Sequence, residues 1–377
     1  MSNLERTKKI KRILMKILII IFAFLFFWWL YSIYSKIEIS ENNNQNNTNT
    51  TIERISLTVS EEEEESKTVS DVIEEANKAV VGISKIKNVG TSVFTNDSTA
   101  SLGIGTGFIV SENGYIITNE HVSGERYSTC YVTLENGKVY NGNVVWSDNN
   151  LDLSIVKINM KGLDYMKLGD SGETRIGENV YAIGNPVGYE FQRTVTSGII
   201  SAVDRTIKFT ENGQDVYMAD LIQTDATINP GNSGGPLIKP DGTVIAVNTV
   251  KITSAEGIGF AVPINAVKPV VDKFISTGNF EEATIGIFAY DKNVIPYLNN
   301  NVSFDTGIYV AQTTKNSSAE QAGLKEGDII TKIDGIELNK MNDLKTYVYT
   351  KNPNDEITLT VQRNKETLEF KLRLGKK

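Results

Sequence analysis

Cysteine and histidine each occur once in the 377 residues, as Cys130 and His121. A single thiol excludes an internal disulfide and a cysteine-based metal cage, so packing must supply the stability. A single imidazole means that any mechanism requiring histidine must use His121. The sequence therefore predicts no metal site and no bound cofactor.

Clustered positive charge is also missing from most of the chain. Six of the 38 basic residues and one of the 46 acidic residues lie in residues 1–16, which leaves 32 bases against 45 acids in the rest. Nucleic-acid binding requires clustered Lys and Arg, so this balance argues against a nucleic-acid partner. The composition is 40% apolar and 22% charged, as in globular domains. The length suggests two or three of them.

An uncharged apolar run, residues 17–35, follows the basic N-terminus. At about 1.5 Å per residue it matches a hydrocarbon core of roughly 30 Å, and Trp28 and Trp29 lie toward one end, as in an interfacial belt. The preceding bases favour a cytoplasmic N-terminus, which would place residues 36–377 outside the cytoplasm. A cleaved signal peptide is the alternative, although no small-residue cleavage site follows.

Composition divides the rest into a linker and two folded units. Residues 36–67 contain an Asn-rich stretch and five consecutive glutamates, which predict a solvated spacer. Residues 68–278 carry many short β-rich segments between turn signals, so they predict an all-β barrel or sandwich. One helix, with Asn265 as its N-cap and Gly278 as its stop, closes this unit. Residues 280–377 predict a smaller α+β module.

Ser233 lies in the motif Gly231-Asn232-Ser233-Gly234-Gly235. A serine hydroxyl becomes an effective nucleophile only when a base removes its proton, and the resulting oxyanion needs fixed donors. The glycines allow a tight turn that directs backbone N–H groups into a concavity. The motif is typical of a nucleophile with its oxyanion hole, although a glycine-rich turn before a strand would look the same.

His121 ends a predicted strand, a position from which catalytic side chains often project. The third member should be a carboxylate that fixes the imidazole tautomer and stabilises its cation. Asp152 is the best candidate because it enters an apolar strand. Asp148 and Asp225 are its rivals: the first lies in a polar loop, and the second could line a pocket instead.

These motifs together resemble the HtrA (Deg) family of chymotrypsin-like serine proteases. Thr118–Val122 resembles the family's TN-x-HV, with Glu120 at the variable position, and Gly231–Pro236 matches GNSGGP. Asp152–Lys157 resembles a D-L-A motif, with Ser154 in place of alanine. The resemblance extends from residue 68 to the C-terminus. It implies a mostly β fold of two six-stranded barrels, with His121 and Asp152 on the first, Ser233 on the second and a cleft between them.

The resemblance also assigns the surroundings of the cleft and implies a trimer of protease domains. The oxyanion hole would form at Gly231, Asn232 and Ser233. Thr227 stands where a trypsin-like enzyme carries an acid that receives Lys or Arg. The primary pocket would be lined by Ile228, Thr249 and Val250. The expected cleavage is therefore after small aliphatic residues such as Val, Ala or Ile.

The C-terminal unit resembles a PDZ domain, most clearly at Ala322–Ile330 and Ile333–Gly335. Its carboxylate-binding loop would hold a peptide C-terminus through backbone N–H groups while the peptide adds as a strand. The loop residues are Thr284, Ile285, Gly286 and Ile287. Arg205, in the segment Asp204–Asp220, resembles an activating-loop arginine, so peptide binding is expected to reorder that loop.

The predicted function is an ATP-independent, membrane-anchored serine endopeptidase that degrades misfolded proteins outside the cytoplasm. Its partners would be unfolded substrates and the C-termini of peptides. The alternative is a chaperone or adaptor that binds unfolded chains or C-termini with only conditional proteolysis.

Overall fold

The computed structural model describes residues 26–29, 67–88, 100–184, 193–211, 214–229, 231–251, 257–297 and 302–377. Contacts divide the chain into two units, Met1–Glu64 and Glu65–Lys377. In the first unit residues 26–29 are helical, and the rest of the predicted membrane span and most of the predicted linker lie outside the described residues. No helix in the described part of the chain is long and apolar enough to cross a bilayer.

One helix precedes the six strands that form the first barrel. Helix α1 spans Val69–Ala79, and Thr68 and Asp71 exchange hydrogen bonds in a capping box that sets its start. The strands are β1 Val80–Asn88, β2 Ala100–Ile109, β3 Tyr115–Thr118, β4 Thr129–Thr133, β5 Val139–Asp148 and β6 Leu153–Ile158. They close antiparallel in the order β1-β2-β3-β6-β5-β4. A four-residue helix, α2 Glu120–Ser123, follows β3.

Six further strands close the second barrel. They are β7 Asn179–Gly184, β8 Thr194–Glu211, β9 Gln214–Thr224, β10 Pro236–Ile238, β11 Val244–Lys251 and β12 Gly259–Pro263. Their order is β10-β11-β12-β9-β8-β7. The predicted loop Asp204–Asp220 is instead largely a continuation of β8 and β9, paired across three register shifts. Cross-strand pairing thus replaces the loop that the family resemblance implied for this segment.

Helix α3, Lys268–Thr277, follows the second barrel. Its predicted stop is confirmed, because Gly278 adopts the left-handed conformation with φ of 75°. The predicted N-cap is wrong: the helix begins after Val267. Asn265 instead lies in a short 3₁₀ turn, where its side chain donates to Asp170 and accepts from the Ser171 N–H.

The C-terminal unit consists of a six-stranded antiparallel sheet, a separate two-stranded sheet and two helices. The strands are β13 Ala283–Thr284, β14 Ile287–Asp291, β15 Ile308–Thr313, β16 Ile329–Ile333, β17 Ile336–Glu337, β18 Glu356–Arg363, β19 Glu366–Arg373 and β20 Gly375–Lys376. The helices are α4 Ser318–Ala322 and α5 Met341–Thr350. The sheet order β14-β15-β16-β18-β19 leaves β14 at an edge.

Helix α5 contributes to two cores. Leu344 and Val348 are buried in the C-terminal unit. Tyr349 is buried on the barrel side, edge-on to Trp146 at 5.8 Å and to Phe280 at 5.9 Å between ring centroids. Residues four positions apart share a face of a helix, so the Leu344/Val348 face and the Lys345/Tyr349 face hold the two folded parts together.

Candidate active site

His121 and Asp152 form a close pair in the first barrel. The His121 Nδ1 lies 2.9 Å from Asp152 Oδ1 and 2.8 Å from Oδ2. The backbone N–H of His121 also donates to Oδ1 at 3.0 Å. With Nδ1 facing a carboxylate, the imidazole carries its proton there and presents Nε2 as a base. The Asp152 side chain is 15% exposed and that of His121 47%, so the base faces the cleft.

Asp152 is placed by the turn between β5 and β6. Oδ1 of Asp148 accepts the N–H groups of Asn150 at 2.9 Å and Leu151 at 3.2 Å. Asp152 itself has a φ of 52°, a left-handed conformation that aspartate tolerates better than most residues. The two alternative carboxylates do not bond to His121 in this way. Asp148 accepts N–H groups of the turn, and Asp225 Oδ1 accepts the Ile199 N–H in the second barrel.

His121 is placed by α2, which is too short to be stable alone. The Asn119 side chain and the Glu120 N–H both donate to the Asp152 carbonyl, at 2.8 and 3.2 Å. Behind them the hydroxyls of Ser123 and Ser154 meet at 2.6 Å in a fully buried site. Ser154, which stands where alanine is usual in the family, is therefore hydrogen-bonded to α2, the helix that carries His121. Burial, and then the charge of Asp152, raise the pKa of Glu120.

Ser233 lies at the junction of the barrels. Its carbonyl accepts the Thr106 N–H of β2 at 3.0 Å, and its Oγ donates to the Thr249 carbonyl at 3.0 Å. The Thr249 hydroxyl donates to Asp152 Oδ2 at 2.7 Å. Gly234 is required here, because its φ is 82° and a Cβ would lie 2.2 Å from the Thr106 carbonyl oxygen. The three predicted residues are thus brought into one cluster.

Asn232 braces the turn before Ser233. Its N–H donates to the Asn229 carbonyl at 3.1 Å. Its side chain accepts the Asn229 N–H and donates to the Thr227 carbonyl, both at 3.0 Å. In this conformation the Asn232 N–H is therefore engaged within the turn, which leaves the N–H groups of Gly231 and Ser233 as the candidate oxyanion donors.

The predicted pocket residues divide into two groups. Ile228 is 2% exposed and covers Gly259, where a Cβ would lie 2.4 Å from its Cγ1. Thr249 directs its hydroxyl at Asp152, so its side chain belongs to the catalytic cluster, a partner that the sequence did not reveal. Val250 lies in β11, and its side chain is outside the described residues.

The predicted sensor and peptide-loop residues lie apart from this cluster. Arg205 is exposed on β8, and its Nε donates to the Gln223 Oε1 at 3.1 Å. In the C-terminal unit Thr284 ends β13 and Ile287 begins β14. Between them Ile285 is buried, and Gly286 turns with a φ of 83° while its N–H donates to Thr284 Oγ1 at 3.1 Å.

Comparison with known proteins places this geometry in a family. A model of the trypsin-like peptidase domain matches residues 105–247, and a model of the PDZ domain matches residues 283–374. The chain is 36% identical to the Serine protease Do-like HtrA of Bacillus subtilis over 334 residues, covering 83% of this chain and 74% of that protein. The chain belongs to the HtrA family of serine proteases.

Other HtrA relatives agree. The Serine protease Do-like HtrA of Lactobacillus helveticus is 38% identical, over 73% of this chain and 69% of the length of that protein. The solved HtrA-type protease AlgW with tripeptide is 31% identical, with a TM-score of 0.60, over 82% of this chain and 98% of that one. The HtrA assignment confirms the predicted enzyme class, the mostly β protease fold and the PDZ domain that follows it. Among the described residues no group of His, Cys, Asp and Glu could hold a metal ion.

Proposed function

We propose that this HtrA protease is an endopeptidase of extracytoplasmic protein quality control and that His121, Asp152 and Ser233 are its catalytic residues. The observation that carries the proposal is a set of hydrogen bonds: His121 bonds to Asp152, the Thr249 hydroxyl donates to Asp152, and the Ser233 hydroxyl donates to the Thr249 carbonyl. It joins a base, its orienting carboxylate and a hydroxyl nucleophile at the junction of two barrels. That is the set of groups that acyl transfer through a serine requires.

In the proposed mechanism Ser233 Oγ attacks the scissile carbonyl while His121 Nε2 takes its proton. The imidazolium so formed is stabilised by the Asp152 carboxylate, whose two oxygens already accept three N–H and O–H donors. The carbonyl oxygen becomes an oxyanion, which the N–H groups of Gly231 and Ser233 stabilise. His121 then protonates the leaving amine, and water hydrolyses the acyl-enzyme by the same base catalysis.

The primary pocket is proposed to accept small aliphatic side chains. Its support is the apolar Ile228 beside Gly259 and the absence of an acid at Thr227, whose carbonyl accepts the Thr196 hydroxyl. Peptide-library digestion should show cleavage mainly after Val, Ala or Ile, with unfolded casein degraded to short fragments. Preferential cleavage after Lys or Arg would contradict the pocket assignment. Stoichiometric binding of casein without fragmentation would favour a chaperone instead.

The PDZ domain is proposed to bind peptide C-termini. Its support is the edge position of β14, which can pair with an added strand, and the Thr284–Ile287 turn that begins it. Helix α5 forms the other face of this region and also contacts the protease barrels. Arg205 remains the proposed sensor, and its neighbour Asp204 forms an ion pair with Lys340, immediately before α5.

A second link joins α5 to the catalytic turn. Asp148 Oδ2 accepts the Lys345 Nζ at 3.1 Å and the Tyr349 hydroxyl at 2.7 Å, while Oδ1 caps the turn that ends at Asp152. Asp148 is 6% exposed. Burial alone would raise the pKa of Asp148, but the charge of Lys345 and the hydrogen bond from Tyr349 outweigh burial and lower this pKa. We therefore propose that this carboxylate couples the peptide domain to the catalytic aspartate.

Asp148→Ala is expected to lower the free energy of unfolding by about 2 to 3 kcal/mol, because it leaves the buried Tyr349 hydroxyl and the partly exposed Lys345 cation without their acceptor. Because the pKa of Asp148 is lowered in the folded protein, its contribution to the free energy of unfolding is lost as pH falls below the ordinary pKa of 3.8. Denaturant titrations at neutral and acidic pH measure both effects. The exposed Asp164→Ala is the matched control, and equal midpoints for the two variants would contradict the coupling.

Residues 17–35 are proposed to anchor the protein in the membrane with residues 36–377 outside the cytoplasm. The length of this uncharged run and the basic residues before it support the proposal. A trimer of protease domains is proposed on the family resemblance alone, and size measurement in detergent tests it.

A further inference from the structure

Two buried carboxyl groups from different domains meet where α5 begins. Asp220, in β9 of the second barrel, accepts the Asn342 N–H through Oδ2 at 3.2 Å. Asp291, at the end of β14, accepts the preceding Met341 N–H through Oδ2 at 3.1 Å. Because they accept from successive N–H groups, the two carboxyls lie side by side at one helix terminus. Asp220 is 3% exposed and Asp291 is 0% exposed.

The two carboxyls are not equally satisfied. Both oxygens of Asp291 are acceptors, since Oδ1 takes the Asn293 N–H at 2.9 Å. Oδ1 of Asp220 is buried and has no hydrogen-bond partner among the described residues. Two adjacent carboxylates excluded from water cannot both ionise without a large penalty. Burial, and then the charge of Asp291, raise the pKa of Asp220 to about 7.

We propose that Asp220 retains a proton where it is buried beside Asp291 at the domain interface, and that this proton holds the PDZ domain against the protease barrels. The proton resides on the unpartnered oxygen of Asp220, which is buried and would otherwise carry charge away from water. Protonation also removes one of the two charges that would repel each other. The pair therefore acts as a proton-dependent clamp between the domains, independent of whether the protease is active.

The surrounding charges modulate this clamp without replacing it. Lys340 favours ionised Asp220, but its Nζ is paired with Asp204, whose own charge favours the protonated form. Asp343 accepts the N–H groups of Asn339 and Lys340 at the same helix start. Lys340 thus interacts with three carboxyl groups, Asp204, Asp220 and Asp343, and its single positive charge cannot compensate all of them.

The direction of the pH dependence follows from linkage. When the domains separate, Asp220 returns to water and its pKa returns to the ordinary value of 3.8. The docked state therefore binds the proton more tightly than the separated state. Docking is therefore strongest in mild acid and weakens as pH rises through about 7. Between pH 5.5 and 8.5 the equilibrium constant for docking should fall by about thirtyfold.

Residue-resolved hydrogen exchange on the full chain in detergent micelles tests this. The Asn342 N–H is one of the first in α5 and has no partner within the helix, so its protection reports the contact with Asp220. The chain carries Ser233→Ala to prevent self-digestion, which makes the result independent of proteolysis. After correction for intrinsic exchange, the protection factor at Asn342 should fall about thirtyfold from pH 5.5 to 8.5.

Asp220→Asn should make this protection independent of pH, because the amide keeps the acceptor and carries no titrating proton. Asp291→Asn should reduce the drop, and the exposed Asp164→Asn should leave it unchanged. A flat profile in the chain with both aspartates overturns the proposal, as does a full drop in Asp220→Asn. An equal drop at amides of β3 and β6 would indicate global destabilisation and also overturn it.

Discussion

Ser233→Ala is expected to reduce kcat for peptide-bond hydrolysis by about 10⁶-fold, because no other group can form the acyl-enzyme. The fold should tolerate the change. Ser233 Oγ makes one hydrogen bond, to the Thr249 carbonyl, and the contact with β2 uses the backbone carbonyl of Ser233. An alanine keeps that backbone contact and fits the same turn.

Initial rates of casein fragmentation and covalent labelling by a fluorophosphonate measure the loss. Ser276→Ala is the matched control, because Ser276 lies on α3 and its hydroxyl bonds only to carbonyls of its own helix. That variant should digest casein at the rate of the unmodified protein. Similar digestion by Ser233→Ala would exclude Ser233 as the nucleophile. Thermal unfolding of both variants should be unchanged, which shows that the loss of activity comes from the missing nucleophile and not from unfolding.

Much of the active site was predictable because its chemistry depends on short motifs. The strand β3, which ends at Thr118 just before the helix that carries His121, pairs directly with β6, which begins after Asp152, so local patterns place both residues close together. Among the barrel strands, β1 and β12 escaped prediction. Val80 continues the helical spacing of α1, yet it begins β1 because it pairs with Phe108 of β2. The β12 strand is short and follows a glycine-rich stretch. In both cases tertiary pairing overrides local preference.

The domain interface could not be predicted from any single segment. Asp148 looked like a polar turn residue, and only the packing of α5 shows that it is buried under Lys345 and Tyr349. Thr249 was assigned to a pocket because it lies on the bordering strand. Strand alternation leaves the direction of its hydroxyl open until the register of β11 against β12 is known. Contacts between residues 97 positions apart, such as Thr249 and Asp152, have no local signal.

Asp152→Asn is expected to reduce kcat by about 10⁴-fold with KM little changed. Three donors converge on this carboxylate: the N–H and Nδ1–H of His121 and the hydroxyl of Thr249. An asparagine offers one acceptor oxygen in place of two. If its amide nitrogen faces Nδ1, the imidazole proton moves to Nε2, which can no longer accept the proton of Ser233. If its oxygen faces Nδ1, the tautomer survives but the charge that stabilises the imidazolium is lost.

Asp225→Asn is the control that distinguishes the orienting role of Asp152 from a general effect of removing a carboxylate near the cleft. Asp225 accepts the Ile199 N–H through Oδ1, and an asparagine oxygen can keep that bond, so activity should be nearly unchanged. Thr249→Val should lie between the two, because it removes one donor to Asp152 but retains the carboxylate and the Thr249 carbonyl. Steady-state kinetics on one peptide substrate rank the three variants. A larger loss in Asp225→Asn than in Asp152→Asn would mean that the carboxylate bonded to His121 in this conformation is not the one used in catalysis.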